Sequence, residues 1–230
     1  MAFIFDIDGT IIDSMPWHGR AWQVFVERHG LAYGGDAFLR RTAGRTGVEL
    51  MRELFGPLDD AGAWTLVQEK EAVYRELFEP SFREIAGFRQ FARRAKADGI
   101  PLACATAGDA DNIAFALRNL GMEDAFDAVA GGHEVSRGKP APDLFLLAAG
   151  RIGVDPAACI VFEDAPLGVE GARRAGMHCV AVTSGESAQA LSGPHVIAVI
   201  GDYDRLEPRR LLDLAGRARA GTVTAGRGSR

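Results

Sequence analysis

The feature that most constrains this chain is a repeated alternation. Short apolar runs at 2–5, 100–105, 125–130, 159–162, 178–182 and 196–200 are separated by stretches with helical spacing. Most of the runs are nearly continuous hydrophobics rather than one-in-two patterns. Strands buried on both faces read that way. The stretches between them have legible ends. Phe88, Phe91, Ala92 and Ala95 share one helical face and Gly99 stops it; Ile113, Ala116, Leu117 and Leu120 share another, stopped by Gly121; a third helix from Pro166 ends at Gly176. Asp155-Pro156 opens a short turn or helix before the run at Cys159. Strand, helix, strand in repetition predicts an α/β fold, a doubly wound parallel sheet.

Residues 14–84 break the alternation. They hold no strand pattern but three helical ones: 15–29, with Trp17, Ala21, Val24 and Phe25 in its stripe; 44–55; and 59–78, capped by Asp59 or Asp60. The expected organisation is therefore an α/β core of residues 1–13 and 85–220 with a small all-helical cap, 14–84, inserted after the first strand. Such a cap belongs above the carboxyl ends of the strands, where open α/β sheets bind ligands. Residues 221–230, rich in Gly, Thr and Arg, read as a frayed tail.

Composition bounds the function. The 230 residues carry a net charge of −5, too mild to call for nucleic acid or a membrane surface. No apolar run approaches the ~20 residues of a membrane span, and the first residues lack the basic flank and long apolar stretch expected of a signal peptide. Cys104, Cys159 and Cys179 are scattered in apolar runs without metal spacing. A reduced, cytoplasmic protein is expected, with a monomer as the default.

The first strand ends in D-I-D-G-T. Asp6 and Asp8 leave it pointing the same way, and two adjacent carboxylates repel and raise each other's pKa. A solvated strand end explains one aspartate better than two. A divalent cation resolves the conflict, and Mg²⁺ prefers such hard oxygen ligands. Three further stretches fall at or just beyond strand ends. In A-C-A-T-A-G, Thr106 offers a hydroxyl and Ala107 and Gly108 leave room for backbone N–H groups to meet an anion near a helix start; a capping threonine is the alternative. R-G-K-P-A-P-D puts Lys139 on a stiff loop. V-F-E-D-A-P ends a strand with Glu163 and Asp164, or caps a helix with the latter.

With its spacings and helical insert, this ordered set resembles the haloacid dehalogenase superfamily over nearly the whole chain, and within it the sugar-phosphate phosphatases and β-phosphoglucomutases. K-P-A-P-D-L-F and V-F-E-D-A-P-L-G-V-E-G-A-R-R-A-G-M are the most specific stretches. The resemblance implies a Rossmann-like core and a Mg²⁺-dependent phosphatase acting on a small phosphomonoester through an aspartyl-phosphate. It makes Asp6 the nucleophile and Asp8 the acid and base. Thr106, Ala107 and Lys139 bind the phosphoryl group. Asp6, the Asp8 backbone carbonyl and Asp164 ligate the metal, with Glu163 a direct ligand or one step behind. His18 matches a family histidine facing the site, and Arg45 is placed to grip the far end of the substrate; a surface histidine and a solvated arginine are the alternatives.

Two departures bear on the choice between phosphatase and mutase. The cap loop of β-phosphoglucomutases carries a lysine before a glycine and an arginine three residues on; here Ala43 and Gly47 stand there, and Arg45 matches neither. The polar residues that follow the second motif in the mutases are Gly108, Asp109 and Ala110. A phosphatase is the expectation and a mutase the alternative. Haloacid dehalogenation fits neither Asp8 nor Gly9-Thr10. A non-catalytic phosphate-binding module is disfavoured because Asp6, Asp8, Lys139 and Asp164 are all present.

Overall fold

The computed structural model describes residues 1–32, 34–35, 37–38 and 45–225. Six parallel strands form one sheet in the order β3-β2-β1-β4-β5-β6, from β1 (Ala2–Phe5), β2 (Leu102–Ala105), β3 (Ala128–Ala130), β4 (Cys159–Glu163), β5 (His178–Val182) and β6 (Val196–Ile200). The strand order reverses at β1, which pairs with β2 on one side and β4 on the other. That is the switch point at which doubly wound sheets bind ligands.

The sheet is covered on both faces, which is why its central strands are apolar throughout. Phe3, Phe5 and Phe162 pack on one side against Phe88 and Phe91 of α4 (Phe88–Ala97), with Phe5 and Phe162 stacked at 4.4 Å. Ile4, Ala103 and Val161 face the other side, under Leu144 and Phe145 of α6 (Asp143–Arg151). The remaining core helices are α5 (Ala110–Leu120), α7 (Pro166–Arg174) and α8 (Pro208–Ala225).

Strands β2 and β3 are shorter than the apolar runs suggest. Pro101 has no N–H to give to a ladder, and the Leu102 N–H is taken by the Asp127 carboxylate at 2.8 Å. Helix α8 takes in 221–225, read from composition as tail, because Leu211 and Ala215 bury its first turns and an anchored helix propagates easily. Residues 226–230 lie outside the described residues.

Between β1 and β2 come α1 (Met15–Arg28), α2 (Gly47–Phe55) and α3 (Asp60–Phe78). Thr46 and Glu49 form a capping box that starts α2, and the Asp59 carboxylate caps α3. Ala43 and Gly44, the expected loop signature and helix start, lie outside the described residues. Trp22, Phe25, Leu50, Met51, Ala63 and Val67 make a separate core among these helices. Farther along α3, Val73, Tyr74 and Phe78 join the sheet-side core. No helix among the described residues is long and apolar enough to cross a membrane.

Candidate active site

At the end of β1 the chain turns sharply, and Gly9 takes a positive φ of 75°. A side chain there would strike Asp164, whose Oδ2 lies 2.0 Å from a Cβ built on Gly9. The Tyr203 hydroxyl donates to the Thr10 carbonyl at 3.1 Å, and Thr10 Oγ1 donates to Asp164 Oδ1 at 3.0 Å. These bonds tie the ends of β1 and β4 into one floor.

On that floor Asp6, Glu163 and Asp164 each bring a carboxylate oxygen within 4.8 Å of the others, all buried. The cation among them is Lys139, 3% exposed, which donates to Asp6 at 2.5 Å and to Glu163. Three acids against one ammonium leave an excess of negative charge. Burial, only partly offset by Lys139 and reinforced by Glu163, pushes the Asp6 carboxyl up to about 7. Burial together with Glu163 and Asp6 raises Asp164 well above the usual carboxylate range. An all-oxygen, over-negative cluster of this kind suits a hard divalent cation such as Mg²⁺.

Glu163 has both oxygens engaged, one by Lys139 and the other by the Ala165 N–H at 3.1 Å. Its carboxylate lies against Gly168, where an added Cβ would sit 1.9 Å from its carboxyl carbon. Gly168→Ala is therefore expected to displace Glu163, loosen Lys139 and cost about tenfold or more in kcat with the fold retained. Steady-state kinetics and circular dichroism check it; full activity would mean that Glu163 does not hold the lysine.

Asp8 faces a different environment. Its Oδ1 accepts from Ser14 Oγ at 2.7 Å, His18 Nε2 at 3.1 Å and the Tyr74 hydroxyl at 3.2 Å. Burial alone would raise its pKa, but the His18 ring, the bonds from His18 and Ser14, and the Lys70 charge pull it down to about 2. The Lys70 ammonium lies 2.7 Å from His18 Nδ1. An ammonium only donates, so whenever the ring is neutral Nδ1 accepts and Nε2 carries the hydrogen given to Asp8. Lys70 also holds Glu71 at 3.0 Å, and Glu71 accepts from Asn112 on α5 at 2.8 Å.

Thr106, buried, accepts from the Gly108 N–H at 3.1 Å. Asp109, not Thr106, caps α5, and no side chain caps α7, so Asp164 has no capping role. One cavity of about 110 Å³ is lined by every residue singled out in the sequence: Asp6, Asp8, His18, Arg45, Thr106, Ala107, Lys139, Glu163 and Asp164. Arg45 lines the cavity, and its guanidinium also donates to Glu53 at 2.6 Å.

Ser14, Lys70, Glu71, Tyr74 and Asn112 went unnoticed in the sequence. A signal existed for Lys70: Ala63, Val67, Lys70 and Tyr74 follow at helical spacing, and all four are buried. A lysine on an otherwise apolar helix face marks a buried ion pair.

The haloacid dehalogenase-like hydrolase family model matches residues 1–176. A validoxylamine A 7'-phosphate phosphatase of Streptomyces hygroscopicus subsp. limoneus is 33% identical over 194 residues, 84% of this chain and 91% of that protein. Fructose-1-phosphate phosphatase YqaB of Escherichia coli (strain K12) is 34% identical over 182 residues, covering 78% and 94%. Among solved structures, a β-phosphoglucomutase of Clostridium difficile superposes with a TM-score of 0.83 at 23% identity, covering 95% and 98%, a likeness of fold.

Proposed function

This chain belongs to the haloacid dehalogenase-like hydrolases, and on that premise we propose that it is a Mg²⁺-dependent phosphatase of sugar phosphates working through an aspartyl-phosphate. The observation that carries the reading is the pairing of Asp6, held by Lys139 in an over-negative oxygen cluster, with Asp8, held apart by its own hydrogen bonds. Two carboxylates two residues apart are thus kept in opposite electrostatic environments, as two different roles require. The phosphatases similar to this chain, including the fructose-1-phosphate enzyme, support the substrate class.

In this reading an Asp6 oxygen attacks phosphorus, the bond from phosphorus to the sugar oxygen breaks, and that oxygen takes a proton from Asp8. Asp8 rests ionised and must first take up a proton from solvent water, which the arriving phosphate dianion favours by raising its pKa. Once the alcohol has left, Asp8 accepts a proton from the water that attacks phosphorus and frees Asp6. Lys139, Thr106 and the N–H groups near Ala107 orient the phosphoryl oxygens, which is where most of the catalysis of such transfers lies. Asp6, Asp164 and the Asp8 carbonyl would hold Mg²⁺, which screens the repulsion between carboxylate and phosphate, while Glu163 positions Lys139. Helices α1–α3 act as a cap that keeps bulk water from the first transfer. Against a mutase reading, the cations that the described residues bring to the cap side of the cavity are already engaged, Arg45 by Glu53 and Lys70 by Glu71.

Phosphate release from a panel of sugar phosphates, with and without Mg²⁺, tests the proposal. Efficient metal-dependent release from one or two members is expected. Isomerisation of β-glucose 1-phosphate without release would contradict it.

The charge cluster also fixes a pH dependence. Asp6, raised from 3.8 to about 7, holds a proton in the folded metal-free protein that the unfolded chain has lost, so stability falls as pH rises through that window. His178 and His195, lowered below 6.5 by burial, tilt the curve the other way over part of the same window. Their effect cancels when Mg²⁺-loaded and metal-free samples are compared. The rise in Tm on adding Mg²⁺ is expected to be larger at pH 8 than at pH 5.5, because protons compete for the same oxygens. An equal rise at both would place the metal elsewhere.

A further inference from the structure

Core and cap meet at a side chain to which the phosphoryl chemistry gives no role. Asn112, in the first turn of α5, is buried and lines the inner cavity. Its Nδ2 donates to Glu71 Oε2 at 2.8 Å, and its Oδ1 accepts from the Arg75 guanidinium at 2.8 Å. Both partners stand on α3 of the cap, one turn apart on the same face. A carboxylate only accepts and a guanidinium only donates, so one orientation of the amide satisfies both ends. The other oxygen of Glu71, Oε1, accepts from Lys70 at 3.0 Å. Lys70 is buried over the Trp22 and Tyr74 rings, and its ammonium reaches His18 Nδ1. His18 in turn reaches Asp8 Oδ1. An unbroken set of hydrogen bonds thus runs from a core helix, through the cap, and back to Asp8 at the end of β1.

We propose that Asn112 is a positioning residue for the general acid: by clasping Glu71 and Arg75 it fixes Lys70 on His18, and His18 on Asp8, when the cap lies over the sheet. The proposal rests on the phosphatase reading above. A buried ammonium must be paired, and Glu71 is the paired carboxylate. Without Asn112, Glu71 loses the bond that fixes its second oxygen and is free to turn, so Lys70 loses a fixed partner. The bonds on Asp8 from Ser14, His18 and Tyr74 all fall on Oδ1, which leaves Oδ2 for the proton given to the sugar oxygen. A change in the His18 contact therefore changes the aim of that proton, and aim is what a positioned acid contributes.

Two changes separate this role from that of a clasp that only holds the cap. Asn112→Asp keeps the size of the side chain but sets a carboxylate against Glu71. Adding Glu71→Gln reverses the pair: the introduced amide donates to the introduced carboxylate, its oxygen still accepts from Lys70, and Arg75 still has an acceptor. The test measures kcat/KM, which covers the steps through alcohol release, for the best sugar phosphate of the panel and for p-nitrophenyl phosphate, whose leaving group departs without a proton. Asn112→Asp is expected to lower the value for the sugar phosphate by about tenfold and that for p-nitrophenyl phosphate by about twofold at most, and the reversed pair to return to within about threefold of wild type. Asn112→Ala removes the clasp without adding charge and is expected to show the same selective loss, which keeps the comparison open if circular dichroism finds Asn112→Asp unfolded. Equal losses on the two substrates, no loss on either, or no recovery in the reversed pair overturns the inference. In those cases turnover of a sugar phosphate by wild type leaves the phosphatase reading standing. A wild type that releases phosphate from no sugar phosphate removes that reading and this inference with it.

Discussion

Asp6→Asn is expected to lower kcat for phosphate release by at least about a thousandfold, because removing the nucleophile of a covalent mechanism removes the step on which the other groups act. The substitution is close in size, so little repacking follows. It also takes one carboxylate out of a cluster in which Asp6, Glu163 and Asp164 share a single lysine. In the metal-free protein at pH 8 that charge is unfavourable, as the raised Asp6 pKa shows. The variant is therefore expected to be inactive yet more thermostable without metal, by roughly 2–4 °C for each kcal/mol gained, and to gain less from added Mg²⁺. Kinetics and thermal denaturation of the same sample check both halves. An inactive variant that is also much less stable would point to a structural role for Asp6.

Lys139→Met produces the opposite stability change. The ammonium is buried and bridges Asp6 and Glu163. Its removal leaves three buried carboxylates uncompensated, a loss of about 3–5 kcal/mol for a broken buried pair, or roughly 10 °C in Tm. Activity falls by about a hundredfold or more, since the phosphoryl group loses its fixed cation. The stability deficit is expected to shrink at pH 5, where the orphaned carboxylates take up protons, and to widen at pH 8. A Tm unchanged across that range would mean that Lys139 does not neutralise the cluster.

The sheet was legible because burial on both faces writes itself as uninterrupted apolar runs, and the helix ends because glycine and aspartate stop and start helices for local reasons. Strand ends were less so: the Asp127 carboxylate that takes the Leu102 N–H at the start of β2 lies 25 residues away. The core acids, Thr106 and Lys139 could be read because each follows a strand, and the sheet delivers strand ends to one edge. The groups around Asp8 could not be read this way. Ser14, Tyr74 and Lys70 reach it, directly or through His18, from helices whose placement over the sheet is a tertiary matter. Arg45 was assigned to the cavity, but its pairing with Glu53 eight residues later was not foreseen.

The central claim is that Asp6 becomes phosphorylated. It is tested most directly by quenching the enzyme during turnover of its best substrate with Mg²⁺, reducing with borohydride, and locating the product by peptide mass spectrometry. An acyl phosphate is reduced to the alcohol, so homoserine at position 6 is expected in wild type and its absence in Asp6→Asn. An unmodified position 6 in an enzyme quenched during a burst of alcohol release, or modification at another acid, would contradict the account.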